Sequence, residues 1–189
     1  MTQRRIAFVS IVVVLLIAAL ALAWPLLRPS RQLQTASQSP IVGQALVGST
    51  APEFEVATTA GLFDLAKTNK PVFLEVFATW CPHCQREAPV VDRLYQKYRG
   101  RVDFVGVSGS DTGMDGRSAE SQNDVLDWAH RFHVQYPVGY DPVLDIAGLY
   151  LQGGFPTFAV IDKNKRITYL NSGEQSYADL DAAIQRVLR

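Results

Sequence analysis

The sequence predicts an α/β domain in which helices flank a central mixed β-sheet. Three observations predict it. From about residue 54 onward, β-rich apolar runs alternate with segments of helical periodicity. Their order is strand, helix, strand, helix, then a β-hairpin and a closing helix, which calls for parallel and antiparallel neighbours in one sheet. The chain has 189 residues and is 48% apolar, enough for one core of ordinary size.

The elements follow in chain order. Residues 54–56 and 62–65 flank Thr58-Thr59-Ala60-Gly61 and read as an N-terminal hairpin. The apolar run Pro71-Val72-Phe73-Leu74-Glu75-Val76-Phe77 reads as a strand. Val90, Val91, Leu94, Tyr95 and Tyr98 recur at three- and four-residue steps and predict a helix over 82–98, with Pro82 in the first turn, which tolerates proline. Residues 102–108 read as a strand, and 109–121, rich in Gly, Ser and Asp, as a loop. Residues 123–134 predict a helix whose buried stripe is Val125, Trp128, Ala129 and Phe132. Residues 145–150 predict a short helix. Strands are expected at 157–161 and 166–170, joined through Asp162-Lys163-Asn164. Ser176, with Asp179 three residues on, caps a final helix whose apolar stripe is Tyr177, Leu180, Ile184 and Val187-Leu188.

The N-terminal part has a different character. Residues 1–5 carry Arg4 and Arg5 and read as a cytoplasmic n-region. Residues 6–27 carry no charge and are long enough to span a bilayer. An uncleaved anchor is the preferred reading, because the apolar run continues past Ala23 and Trp24 suits the interface. A cleaved signal is the alternative, since Ala21-Leu22-Ala23 fits a processing pattern. Residues 28–47, largely polar, read as a flexible tether before a domain at 48–189. Lys+Arg and Asp+Glu both number 18, with no basic stripe and no glycine-rich phosphate loop, so nothing points to nucleic acid.

Chemistry concentrates in Trp80-Cys81-Pro82-His83-Cys84, which holds both cysteines of the chain. Two thiols three positions apart, where a strand hands over to a helix, can exchange disulfides with little backbone movement. A purely structural bridge would close a loop so small that it contributes only ~2 kcal/mol. A structural zinc site needs four ligands, and the chain has no second cysteine pair. Binding of copper by Cys81, Cys84 and a histidine stays open as an alternative. Cys81 would sit at the helix N-terminus, where the dipole and free N–H groups favour a thiolate, and is the expected nucleophile. Cys84, one turn further in, is the expected resolving thiol. His83 adds charge or a hydrogen bond that favours the Cys81 thiolate. His130 and His133 form an H-x-x-H pair, which reads as solvated helix surface rather than a metal half-site; no metal and no cofactor is expected. Glu75 interrupts an apolar strand, where a lone carboxylate is costly. It lies either at an edge or solvent-facing position, or is a buried acid–base group.

Residues 76–84, Val-Phe-Ala-Thr-Trp-Cys-Pro-His-Cys, resemble the active-site segment of the thioredoxin superfamily. Pro89 matches the proline of that family's active-site helix, and Gly154-Phe155-Pro156-Thr157 its cis-proline segment. Ala51-Pro52-Glu53-Phe54 and the long insert before Pro156 resemble the membrane-anchored TlpA/ResA-like branch, over roughly residues 48–189. The resemblance implies a thioredoxin-like fold with an N-terminal β-hairpin and an inserted helix before the cis-proline. It implies a redox-active Cys81–Cys84 disulfide, and Glu75 as a buried acid that takes the proton of Cys84. It implies a substrate groove lined by Trp80, Phe155, Pro156 and Thr157. It implies protein thiol or disulfide substrates, a redox partner in the bacterial cytoplasmic membrane, and a domain facing the periplasm. Cys-Pro-His-Cys itself resembles the motif of DsbA-type oxidases, whereas the scaffold resembles reductases. The direction of electron flow stays open, with a lean to reductase.

Overall fold

The strand that carries Glu75 is completely buried along its six residues and is paired on both sides within the sheet. A computed structural model describes residues 44–189. The n-region, the apolar segment 6–27 and the tether up to residue 43 lie outside the described residues. Among the described residues no helix is long and apolar enough to cross a membrane. Within the expected tether, Ala45 is fully buried, and its N–H donates to the Leu149 carbonyl (2.9 Å), so the packed chain starts before residue 48.

The seven strands are β1 (Glu55–Thr58), β2 (Gly61–Asp64), β3 (Val72–Phe77), β4 (Asp103–Ser108), β5 (Val138–Tyr140), β6 (Thr157–Ile161) and β7 (Ile167–Ser172). They form one sheet in the order β2-β1-β5-β4-β3-β6-β7. β3 pairs parallel with β4 and antiparallel with β6, placing Glu75 opposite Gly106 and Phe158. The helices are α1 (Pro82–Tyr98), α2 (Gln122–Arg131), α3 (Asp145–Tyr150) and α4 (Tyr177–Val187).

The alternation of β3 decides which layer each residue joins. Phe73 and Phe77 face a core built with α1, α2 and α4 through Cys84, Val91, Leu94, Trp128, Leu180 and Ile184. Val72, Leu74 and Val76 face the opposite core, filled by Ile146, Ala147 and Tyr150 of α3. Glu75 belongs to the Phe73–Phe77 face and is therefore directed toward the α1 layer.

Two local differences from the sequence reading have physical causes. β5 was not expected: it has three residues, too few to show a period, and contains Gly139. Its pairing with β1 is a single register pair, Thr58 with Gly139. A Cβ at Gly139 would come within 2.6 Å of the Ala57 carbonyl oxygen, so only glycine allows that approach. The helix expected over 123–134 ends instead at Arg131, because His133 adopts a left-handed φ of 54°. The Val134 N–H then returns to the Ala129 carbonyl (2.9 Å), a helix-ending bond usually built around glycine, which the sequence lacks here. At the other end, Ser121 and Asp124 form a reciprocal capping box.

Candidate active site

α1 begins at Pro82, with Cys81 as its extended N-cap residue. The cap side chain is a thiol rather than a hydroxyl or carboxylate, and it makes no capping bond. Both cysteines are free thiols and both are buried, Cys81 at 4% exposure and Cys84 at 0%. The Cys81 sulfur lies 3.7 Å from the Phe155 carbonyl oxygen. It borders an apolar groove of about 470 Å³ walled by Trp80, Pro82, Leu151, Gly154 and Phe155. The Trp80 and Phe155 rings meet edge to face at 6.2 Å. Cys84 sits on the inner side of the helix, within the core that Phe77 and Leu94 share.

The two sulfurs are electrostatic opposites. A hydrogen bond from the Cys84 thiol lowers the Cys81 pKa to about 6. The N–H groups of Cys84 and His83 and the His83 charge act in the same direction, against the opposing effect of burial. Burial drives Cys84 far up, helped by the Cys81 hydrogen bond and by the charge of Glu75. One turn of helix thus separates a sulfur that ionises near neutrality from one that keeps its proton.

Glu75 is fully buried, which settles the choice between an edge position and a core position. Its Oε2 accepts a hydrogen bond from the Tyr136 hydroxyl (2.7 Å), while Oε1 has no protein partner. Burial pushes its carboxyl up to about 8, only partly opposed by the Tyr136 bond. Glu87 on α1 is a second acid near the pair. It is 4% exposed, its Oε1 accepts the Gln175 N–H (2.8 Å), and Oε2 is unpartnered. Burial raises it as well.

The insert between β4 and β5 supports the turn before Cys81. Thr79 and Ser108 each donate a hydroxyl to Glu120, to Oε1 and Oε2 respectively, both at 2.5 Å. The Trp80 indole N–H donates to Ser110 Oγ (2.8 Å), and Gln85 Nε2 donates to the Thr79 carbonyl (3.0 Å).

Of the residues read as groove-lining, Trp80 and Phe155 form its walls. Pro156 follows a cis peptide bond and is buried behind them. Thr157 does not face the groove. It is fully buried, and its hydroxyl donates to the Gly154 carbonyl (2.8 Å) and accepts the Gln152 N–H (3.1 Å), so it shapes the loop instead. His83 is exposed and turned toward Glu174 and Arg86. His130 and His133 are exposed. Among the described residues no group of three or more His, Cys, Asp or Glu side chains converges as a metal site.

The sequence reading missed Glu87, Glu120, Arg86 and Glu174. Glu87 carried a usable signal: it lies on the same stripe as Cys84, Val91 and Leu94, and an acid on a buried stripe is as anomalous as one in a buried strand. Glu120 and Glu174 lie in loops without periodicity, and their partners are 41 and 91 residues away in sequence.

A mixed sheet that presents a dithiol at a helix N-terminus, with one sulfur acidified and the other masked, defines a thiol–disulfide oxidoreductase. Residues 46–184 match the Redoxin family model, and the chain belongs to that family. It is similar to the thiol-disulfide oxidoreductase ResA of Bacillus cereus (strain ZK / E33L), 30% identical over 146 residues, covering 75% of this chain and 78% of the relative. The ResA of Geobacillus kaustophilus (strain HTA426) is also 30% identical, with the same coverage. Among solved structures, a thiol:disulfide interchange protein of the thioredoxin family from Chlorobium tepidum TLS superposes with a TM-score of 0.59 at 25% identity. That likeness covers 76% of this chain and 99% of the other.

Proposed function

We propose that this chain is a membrane-tethered, extracytoplasmic thiol–disulfide oxidoreductase that reduces disulfides in protein substrates. The observation that carries the reading is the asymmetry of the two sulfurs: Cys81 at the groove, lowered to about 6, and Cys84 buried and raised. The likeness to relatives named thiol-disulfide oxidoreductase ResA supports thiol–disulfide exchange, and the reductase direction follows the scaffold resemblance. The uncharged segment 6–27 supports a single N-terminal anchor, with residues 1–5 on the cytoplasmic side.

In the proposed cycle the Cys81 thiolate attacks one sulfur of a substrate disulfide held against Trp80 and Phe155. A mixed disulfide forms, and the other substrate sulfur leaves as a thiolate that takes a proton from solvent. Cys84 then gives its proton to ionised Glu75 and attacks the Cys81 sulfur. The second substrate sulfur leaves, and the Cys81–Cys84 disulfide remains. The substrate has gained two electrons and the cysteine pair has lost two. A thiol donor at the membrane returns them. A pKa of about 8 leaves Glu75 a minority carboxylate at neutral pH, able both to accept this proton and to return it when the pair is reduced again.

Replacing Cys84 with serine tests the reading. Turnover stops after the first attack, and a substrate-linked species accumulates that dithiothreitol releases. If Cys84→Ser turns over like the parent, or Cys81→Ser captures substrate equally well, the assignment of roles fails.

A further inference from the structure

The imidazole between the two cysteines is not aimed at the sulfur it flanks. The Cys81 sulfur has the Phe155 carbonyl at 3.7 Å and the Cys84 thiol as its partners, and no bond from the imidazole. His83 Nδ1 instead lies 2.5 Å from Glu174 Oε1 and 2.8 Å from Arg86 Nη2. Arg86 donates Nε (2.9 Å) and Nη2 to the same Glu174 oxygen. A ring nitrogen makes only one of the two bonds at a time. Protonated, Nδ1 donates to the carboxylate; unprotonated, it accepts from the guanidinium.

Glu174 is held where it is by its neighbours. The Gly173 N–H donates to the Pro156 carbonyl (2.8 Å), which ties the turn to the groove segment. The Gln175 N–H donates to buried Glu87 of α1 (2.8 Å), which ties it to the active-site helix. Gly173 has φ +81°, a conformation that favours glycine and lets the chain turn back at this point. The backbone at Glu174, whose carboxylate meets His83 and Arg86, is thus fixed from both sides by its neighbours' N–H bonds.

We propose that Glu174 sets the redox poise of the cysteine pair by holding the His83 ring away from the Cys81 sulfur and offsetting the charge of His83 and Arg86. Glu174 is a positioning residue in this account, because it acts on Cys81 only through those two side chains. The inference rests on the thiol–disulfide function proposed above. Its direction follows from charge. Cations beside a thiolate stabilise the dithiol form and make the disulfide a stronger oxidant. A carboxylate that cancels them keeps the pair reducing. A Cys-Pro-His-Cys motif, oxidising when its histidine acts on the thiolate, is thereby compatible with a reductase scaffold. The Glu174 carboxyl is itself lowered, first by its hydrogen bond with Arg86 and then by that with His83.

The test is a redox titration of the full chain against glutathione, with the Cys81 thiolate followed by ultraviolet absorbance. The Glu174→Gln substitution removes the charge but keeps a carbonyl acceptor for Arg86. The expected result is a shift of the equilibrium toward the dithiol by about two- to fivefold, the range of exposed ion pairs, with a lower titration midpoint for Cys81. In a His83→Asn background the same substitution has a smaller effect. An unchanged equilibrium and midpoint in a folded Glu174→Gln protein overturns the proposal. So does a shift of equal size with and without His83, which assigns the effect to Arg86 alone. Reversible cycling of the unsubstituted chain in the same titration separately checks the underlying function, so the two readings fail by different outcomes.

Discussion

Glu75 and Glu120 are both carboxyls buried close to the cysteine pair, one on β3 and one on the insert. Their surroundings differ in one respect. Glu120 receives a hydroxyl on each oxygen, from Thr79 and Ser108. Glu75 receives one, from Tyr136, and its other oxygen has no protein partner. Burial raises both pKa values, but the Ser108 and Thr79 bonds hold Glu120 back, whereas Glu75 reaches about 8. A buried acid with both oxygens occupied is a clamp that joins the insert to the active-site turn. A buried acid with one oxygen free, coupled to the charge of Cys84, retains the capacity to exchange a proton.

The largest effect expected from this contrast is a pH-dependent stability difference. Glu75 has a folded pKa of about 8 against an ordinary value of 4.5. The folded state holds its proton more tightly than the unfolded state. The associated stability is complete below pH 4.5 and is lost as pH rises through 8. Urea unfolding of the dithiol form of the parent and of Glu75→Gln is expected to diverge between these values, the variant gaining on the parent by at most about 5 kcal/mol. A pH-independent difference would mean that Glu75 titrates as an ordinary carboxyl.

Next comes the clamp. Glu120→Ala leaves the buried Thr79 and Ser108 hydroxyls without their acceptor and is expected to cost about 3 kcal/mol. Trp80 fluorescence should change too, because Thr79 precedes Trp80. A loss with the same pH profile as that of Glu75 would erase the comparison.

The kinetic effect follows. Glu75→Gln should slow resolution of the mixed disulfide about a hundredfold, the low end of general acid–base contributions, and leave the first attack nearly unchanged. Stopped-flow mixing with a model disulfide separates the two steps. Equal slowing of both would move the role of Glu75 from proton transfer to structure. Last comes Cys81 itself, where no change is expected. Its alkylation by iodoacetamide should titrate with a midpoint near pH 6 in the parent and at the same pH in Glu75→Gln, because a Glu75 carboxyl with a pKa of about 8 is still protonated there.

The contrast also explains what the sequence disclosed. Glu75 was legible because a charge inside an apolar strand breaks a pattern, and α1 was legible to the residue because Pro82 and the Val91–Leu94–Tyr98 stripe fix both ends. β6 and α3 also fell where the pattern placed them. Glu120 was not legible, since it becomes a core residue only when the insert folds back over Thr79 and Ser108. His83 was visible as a residue but not as an orientation, because the carboxylate that turns it comes from a turn after β7. Glu87 was readable in the same way as Glu75, since an acid on the buried Cys84–Val91–Leu94 stripe breaks a pattern. β5 was hidden because a three-residue strand around Gly139 has no period and owes its pairing to close backbone approach.

The central claim is that Cys81 and Cys84 form a reversible redox pair in which the two sulfurs have unequal roles. The most direct test is the equilibrium reduction potential of the full chain, titrated against glutathione and dithiothreitol. Reversible two-electron cycling is expected, with a potential near that of thioredoxin, about −270 mV. A potential near about −120 mV would make the protein a disulfide donor and contradict the reductase direction. A pair that never cycles would contradict the account altogether and turn attention to copper binding at the same two sulfurs.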